Sequence, residues 1–243
     1  MKITYIDHSG FLVELSECYL LFDYYRGDLR GLAEKKPVLV FVSHAHKDHY
    51  NAEVFTLLKE RGIAPEDIHA FLSKEIYVKK IPQDIPYTSV RRREHYELPF
   101  GITLDTMRST DAGVAFLLHT REGILYHAGD LNDWTWAGES KAYNHNMTAQ
   151  YQKEIDHIKE LSPVIDAAFL PLDPRQDAHY DRGMLYFLQT ICVKKVFPMH
   201  YWGQSEVIGR FLTAHPQYRG IVCDTQKAVG VDIEEGERVL FNQ

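Results

Sequence analysis

The chain has 243 residues, of which 45% are hydrophobic and 25% charged, with a net charge of −7. That is an ordinary composition for a globular protein with one sizeable core. The acidic balance argues against binding nucleic acid by phosphate neutralisation, and no apolar run approaches the roughly 20 residues of a membrane span.

In chain order, residues 3–15 and 19–23 read as two strands joined by the turn Ser16-Glu17, the second ending on a carboxylate. A polar loop then leads to the unbroken apolar run 38–42, which reads as a buried strand. Directly after it comes Ser43-His44-Ala45-His46-Lys47-Asp48-His49. Asn51 is a plausible N-cap for a helix over 52–61, with Gly62 as its stop. Residues 68–72 follow as a strand, and Ser73 begins a short helix to Lys79. Pro82, Pro86 and Pro99 divide the next stretch into short edges and turns. Arg91-Arg92-Arg93 is a basic run that reads either as a solvated edge opposing sheet pairing or as a phosphate contact.

The second half repeats this alternation. Residues 102–107, 113–120 and 124–128 are predicted strands, with a hairpin turn at 121–123. An aromatic-rich loop covers 130–136, and a helix covers 149–161, stopped by Ser162-Pro163. A strand at 165–170, a helix at 183–192, a strand at 195–199 and a helix at 205–214 follow. Short strands at 220–223, 228–233 and 238–241 close the chain. Strand–helix–strand order in both halves fits two sheets with helices outside. Cys18, Cys192 and Cys223 are scattered, with no CxxC pairing, and Met1 leads directly into a strand. A reducing, cytoplasmic setting is therefore expected.

Three imidazoles and a carboxylate within six residues, in a loop between a core strand and a helix, point to metal binding. Neutral imidazole and carboxylate are ligands suited to zinc. His44 and His46 alternate in an extended segment and share a direction, while Asp48 and His49 follow the turn and face a second nearby point.

His-x-His-x-Asp-His after an apolar strand resembles the metal motif of the metallo-β-lactamase superfamily. Later landmarks arrive in order: Asp130 in Tyr126-His127-Ala128-Gly129-Asp130, and His200 in Phe197-Pro198-Met199-His200. Asp7-His8-Ser9-Gly10-Phe11 is similar to the opening strand of the branch that includes the ascorbate-phosphate lactonases. The resemblance implies one domain over 1–243, folded as a four-layered αββα sandwich. It also implies one or two metal ions, zinc by preference and manganese or iron otherwise. The first ion would take His44, His46 and a third ligand, the second Asp48, His49 and His200, with Asp130 bridging. Such a pair lowers the pKa of a bound water towards neutrality, which makes Asp48 and Asp130 the expected catalytic carboxylates.

One landmark differs: Thr110 stands where the family places a histidine three residues before a glycine. Asp111 is the best replacement ligand, or else an Asx-turn former, and His8 is either a ligand or a proton carrier beside the metals. Trp134, Trp136 and Trp202 either wall a substrate pocket or pack the loops. Arg175 either holds a substrate carboxylate or phosphate, or pairs with Asp173 or Asp177. The implied activity is hydrolysis of a small, anionic metabolite, such as a lactone or phosphate ester. The alternatives are a nucleic-acid phosphodiesterase and a non-catalytic metal- or ligand-binding module. No nucleic-acid or membrane partner is expected.

Overall fold

The computed structural model describes residues 1–33, 35–225 and 231–232. Strands β1 (Lys2–Asp7), β2 (Gly10–Glu14), β3 (Tyr19–Phe22), β4 (Val38–Val42), β5 (Ile68–Ser73) and β6 (Tyr87–Val90) belong to one sheet. Strands β7 (His95–Leu98), β8 (Ile102–Arg108), β9 (Val114–Thr120), β10 (Gly123–His127), β11 (Val164–Pro171) and β12 (Cys192–Met199) form the other. A two-residue strand, β13 (Val231–Asp232), adds to the first, so the orders are β13-β1-β2-β3-β4-β5-β6 and β12-β11-β10-β9-β8-β7. Among the described residues four α-helices join them: α1 (Glu53–Glu60), α2 (Lys141–Leu161), α3 (Arg182–Thr190) and α4 (Glu206–Ala214).

The layering follows from the period of two along each strand. In β4, Val38, Val40 and Val42 pack with Val54, Phe55 and Leu58 of α1 on the outer face. Leu39 and Phe41 point the other way, into the core between the sheets. There Phe41 meets Phe116 of β9 edge-on at 5.5 Å, and Phe11 meets Phe169 at 4.4 Å. Behind the second sheet, Phe187 of α3 stacks on Tyr126 of β10 at 5.1 Å. Full burial of each such side chain stabilises by about 1.5–3 kcal/mol. The result is the expected αββα sandwich.

Several boundaries differ from the sequence expectation. The predicted strand 3–15 is a hairpin, broken at His8-Ser9 where a register shift after Tyr5 and a left-handed His8 (φ 53°) turn the chain. Helix α2 begins at Lys141, well before 149, because the Ser140 hydroxyl accepts from the Tyr143 amide at 3.1 Å. Helix α1 starts at Glu53, yet Asn51 does act at its entrance, accepting from the Glu53 amide at 3.0 Å. The expected helix at 73–79 is a turn followed by one 3-10 turn, Val78–Lys80. Of the last predicted strands, 220–223 contributes a single bridge between Val222 and Val196. Apart from β13, the strands expected at 228–233 and 238–241 lie outside the described residues. No helix among the described residues is long and apolar enough to cross a membrane.

Strands β3 and β4 run parallel, as do β10, β11 and β12. Their C-terminal ends deliver the loops at 23, 43–49, 130, 173 and 200 to one end of the sandwich, where ligands of such sheets collect. Two glycines let the sheets close over Ser43. A Cβ on Gly113 (φ +69°) would lie 1.9 Å from the Ser43 carbonyl oxygen, and one on Gly129 (φ +50°) 2.7 Å from the Ser43 Cβ. Gly113→Ala should therefore cost about 2 kcal/mol or more, lowering the melting temperature by about 4–8 °C. Gly209→Ala, in an exposed turn of α4 with nothing within 4 Å, should leave stability unchanged or raise it by about 0.5–1 kcal/mol. Paired thermal melts check both, and an unshifted Gly113→Ala would overturn the close-approach argument.

Candidate metal centre

The donor side chains gather in two groups. His8, Asp48, His49 and His200 form one, and His44, His46 and Asp130 the other, with ligand atoms in each group within 4.8 Å of one another. Asp130 stands between them. Its Oδ2 lies 3.4 Å from His44 Nε2, and its Oδ1 lies 3.1 Å from His49 Nε2 and 3.4 Å from His200 Nε2. His8 Nε2 is 3.3 Å from Asp48 Oδ2. Donors sharing one tetrahedral ion at about 2.0–2.1 Å stand roughly 3.3 Å apart, which is the spacing observed here.

Three of the imidazoles, those of His44, His49 and His200, are held from behind. Asp23 is fully buried; its Oδ1 accepts from the Ser43 amide (2.7 Å), and its Oδ2 from the Ser43 hydroxyl (2.6 Å) and His49 Nδ1 (2.8 Å). The Ser43 hydroxyl, having donated to Asp23, accepts from His44 Nδ1 at 2.9 Å. Asp173 accepts from His200 Nδ1 at 2.9 Å. With Nδ1 of His44, His49 and His200 protonated by these contacts, Nε2 is left bare and aimed inward.

Nε2 of His8, His44 and His49, together with Asp130 Oδ1, is buried without a hydrogen-bond partner. Their close approaches lack hydrogen-bond alignment. Buried orphans on this scale call for an ion, and the donors present fit a divalent metal. The protonation equilibria point the same way. Burial and the neighbouring His49 push His44 down to about 4. Burial opposes charge on Asp130, yet the imidazoles of His49, His200 and His44 hold it well below the usual carboxylate range. For His49 burial works against the cation, and the Asp130 and Asp23 carboxylates overcome it to raise the pKa. This centre demands positive charge beside Asp130, which a metal ion would provide without a proton.

Several expected residues take different places. His8 joins Asp48, His49 and His200, so it does not complete the group around His44 and His46. Asp111 belongs to neither group; it is about half-exposed, 4.0 Å from His46 Nδ1, with its amide donating to the Ser109 hydroxyl. Thr110 ties two loops together, donating to the Asn132 carbonyl (2.6 Å) and accepting from the Asn132 amide (3.0 Å). Of the two expectations for Arg175, the structure shows the pairing with Asp173: its Nε and Nη2 grip both Asp173 oxygens at 2.5–3.0 Å. Trp134 is buried rather than lining a pocket: its indole donates to the Asp130 carbonyl at 2.8 Å and its ring meets His200 edge-on. Trp136 stacks behind Trp134 at 6.2 Å. Trp202 does stand at the rim, 44% exposed, with its ring against His8 at 4.5 Å and the Arg175 guanidinium over it at 4.5 Å.

Asp23 and Asp173 carry no metal role in the sequence reading. The available signal is positional, since each is a carboxylate just past the C-terminal end of an apolar strand that runs towards the motif.

Comparison with known proteins agrees with this geometry. A family model described as a Beta-lactamase superfamily domain matches residues 2–145. A UPF0173 metal-dependent hydrolase of Pyrobaculum islandicum is 27% identical over 218 residues, covering 83% of this chain and 84% of its own. One from Opitutus terrae is 42% identical over 146 residues, covering 54% of this chain and 63% of its own. Igni18, a metallo hydrolase from the archaeon Ignicoccus hospitalis, shares the fold with a TM-score of 0.66 at 19% identity, over 96% of this chain and 99% of that one. The family match spans more than half of the sequence and takes in every donor up to Asp130; the chain belongs to the beta-lactamase superfamily.

Proposed function

We propose that this protein is a metal-dependent hydrolase acting on a small, anionic metabolite through a lactone or phosphate-ester bond. The observation that carries the reading is the convergence of orphaned, inward-facing imidazole nitrogens on both sides of one buried carboxylate, Asp130. Names of relatives such as the Pyrobaculum islandicum protein support the same class. Zinc suits the imidazole-rich donors, with manganese or iron as alternatives. When bound, the ions would supply Lewis acidity and an activated water.

The chain's own residues then have distinct tasks. Asp23, Ser43 and Asp173 fix the tautomers of His44, His49 and His200. Asp130 presents one oxygen to each donor group and links them. His46 and Asp48 are the solvent-facing donors, with side chains 53% and 25% exposed, so substrate enters from their side. Trp202 offers an apolar wall at the rim, and the Arg175 guanidinium stiffens it from above.

Titrating metal-free protein with zinc should give one tight and one weaker event. The group with His8 supplies four donors plus Asp130, whereas the other supplies His44, His46 and Asp130. His8→Asn should weaken the tight event by about tenfold or more. Two equally tight events, or an unchanged His8→Asn, would remove His8 from the centre.

Asp130→Asn should lower turnover on a panel of lactones and phosphate esters by about a hundredfold or more, while the metal-free variant melts close to the metal-free parent. Wild-type turnover at saturating metal would exclude the linking role. A panel on which only oligonucleotides are cut would make the protein a phosphodiesterase, and one with no turnover at full metal loading a binding module.

Arg175→Lys keeps the charge but loses the fork on Asp173. Because Asp173 orients His200, metal affinity measured by chelator competition should fall by about tenfold, slowing neutral and anionic substrates alike. A rise in KM confined to anionic substrates would instead put Arg175 in contact with substrate.

A further inference from the structure

Away from the metal centre lies a hollow of about 530 Å³ in which four cations converge: Arg92, Arg93, Arg108 and Lys153. This is unexpected in a chain of net charge −7, and concentrating like charge in a concavity is unfavourable without an anion to offset it. Only Arg93 is neutralised, by the buried Glu154 at 2.6 Å. The side chains of Arg92, Arg108 and Lys153 have no hydrogen bond or ion pair among the described residues.

The hollow is built rather than incidental. Glu154 of α2 also accepts from the Arg108 amide at 3.1 Å, joining helix, strand and loop. The turn that carries Arg92 and Arg93 is fixed on β8: Arg93 N donates to the Thr106 carbonyl (2.8 Å), and Glu94 N to the Thr106 hydroxyl (3.1 Å). Arg93 holds a left-handed φ of 60° in that turn. Ser109, Thr110 and Gln150 complete the wall with hydroxyl and amide groups.

The volume falls within the roughly 300–1,000 Å³ range of small-molecule sites. Its lining has no aromatic or aliphatic side chain, so nothing there would stack on a nucleobase. Guanidinium and ammonium groups together suit phosphoryl oxygens. We infer that this hollow is a second ligand site, which holds the phosphoryl group of a polar small molecule. It shares the 109–113 loop with the metal centre, where Asp111 faces His46, but uses none of its donors. The phosphoryl group belongs either to the substrate or to a separate effector.

The test uses metal-loaded protein and two probes, inorganic phosphate and glycerol phosphate, followed by calorimetry. Beside any binding at the metals, wild type and Asp130→Asn should share one binding event of equal affinity, because the hollow uses none of the metal donors. The variant R92Q/R108Q/K153Q alters only exposed side chains and should bind at least tenfold more weakly, at an unchanged melting temperature. Arg92→Gln alone should lie between, and Arg91→Gln, one residue outside the lining, should match wild type. If the triple variant also raises KM for phosphorylated substrates but not for neutral lactones, the group is the substrate's own. If KM is unchanged for both while phosphate binding falls, the ligand is a separate effector. Undiminished binding by the triple variant, or binding lost in Asp130→Asn, would overturn the site. So would tighter binding of a short single-stranded oligonucleotide than of glycerol phosphate, since it would make the cations a nucleic-acid contact.

Discussion

The hydrogen bonds of Asp23 to Ser43 and His49 are the interaction on which the rest of the centre depends. Burying a carboxylate completely is costly unless every lone pair finds a donor, and here both oxygens are engaged by the Ser43 amide, the Ser43 hydroxyl and His49. Burial alone would raise its pKa; the hydrogen bond from His49 and the nearby His127 and His44 turn the shift downward and keep it ionised. Through Ser43 the same carboxylate reaches His44, so one side chain sets the tautomer of a histidine in each donor group. Gly113 and Gly129 belong to this arrangement, because any side chain at either position would push the second sheet away from Ser43.

The centre also concentrates backbone strain. Four of the seven non-glycine residues with positive φ among those described are His8, Asp23, His200 and Trp202. Each such conformation costs of order 1–3 kcal/mol and persists only where the surroundings over-determine it. The surroundings here are the β1–β2 hairpin and the parallel pairs β3–β4 and β11–β12. His200 donates its amide to the His8 carbonyl at 3.2 Å, so the two strained turns brace one another across the sheets.

Much of this was legible in the sequence where the signal is local. The run 38–42 followed by alternating histidines needs no partner to be recognised, and neither does the apolar strand ahead of Asp130. What is not legible depends on contacts far apart in the chain. His8 sits in a hairpin turn whose only local marks are Ser9 and Gly10; the resemblance of 7–11 set it beside the metals, but nothing near residue 8 reveals that Asp48 and His200 will be its neighbours. The first two turns of α2 are mostly exposed and polar, so no apolar stripe marks them and only Ser140 gives the start. Arg175 was ambiguous for a different reason. A guanidinium two residues after a carboxylate fits a salt bridge as well as a substrate clamp, and the deciding fact is that Asp173 also holds His200.

Because the donors come from the first hairpin, the loop after β4, the end of β10 and the end of β12, they exist as a set only in the completed sandwich. An ion that binds this set binds the native state and not the unfolded chain, so each tenfold rise in free metal above the dissociation constant adds about 1.4 kcal/mol to the stability of the whole protein. An ion held by this set would tie the two sheets together, and its loss would be felt first as a loosening of the seam that joins them.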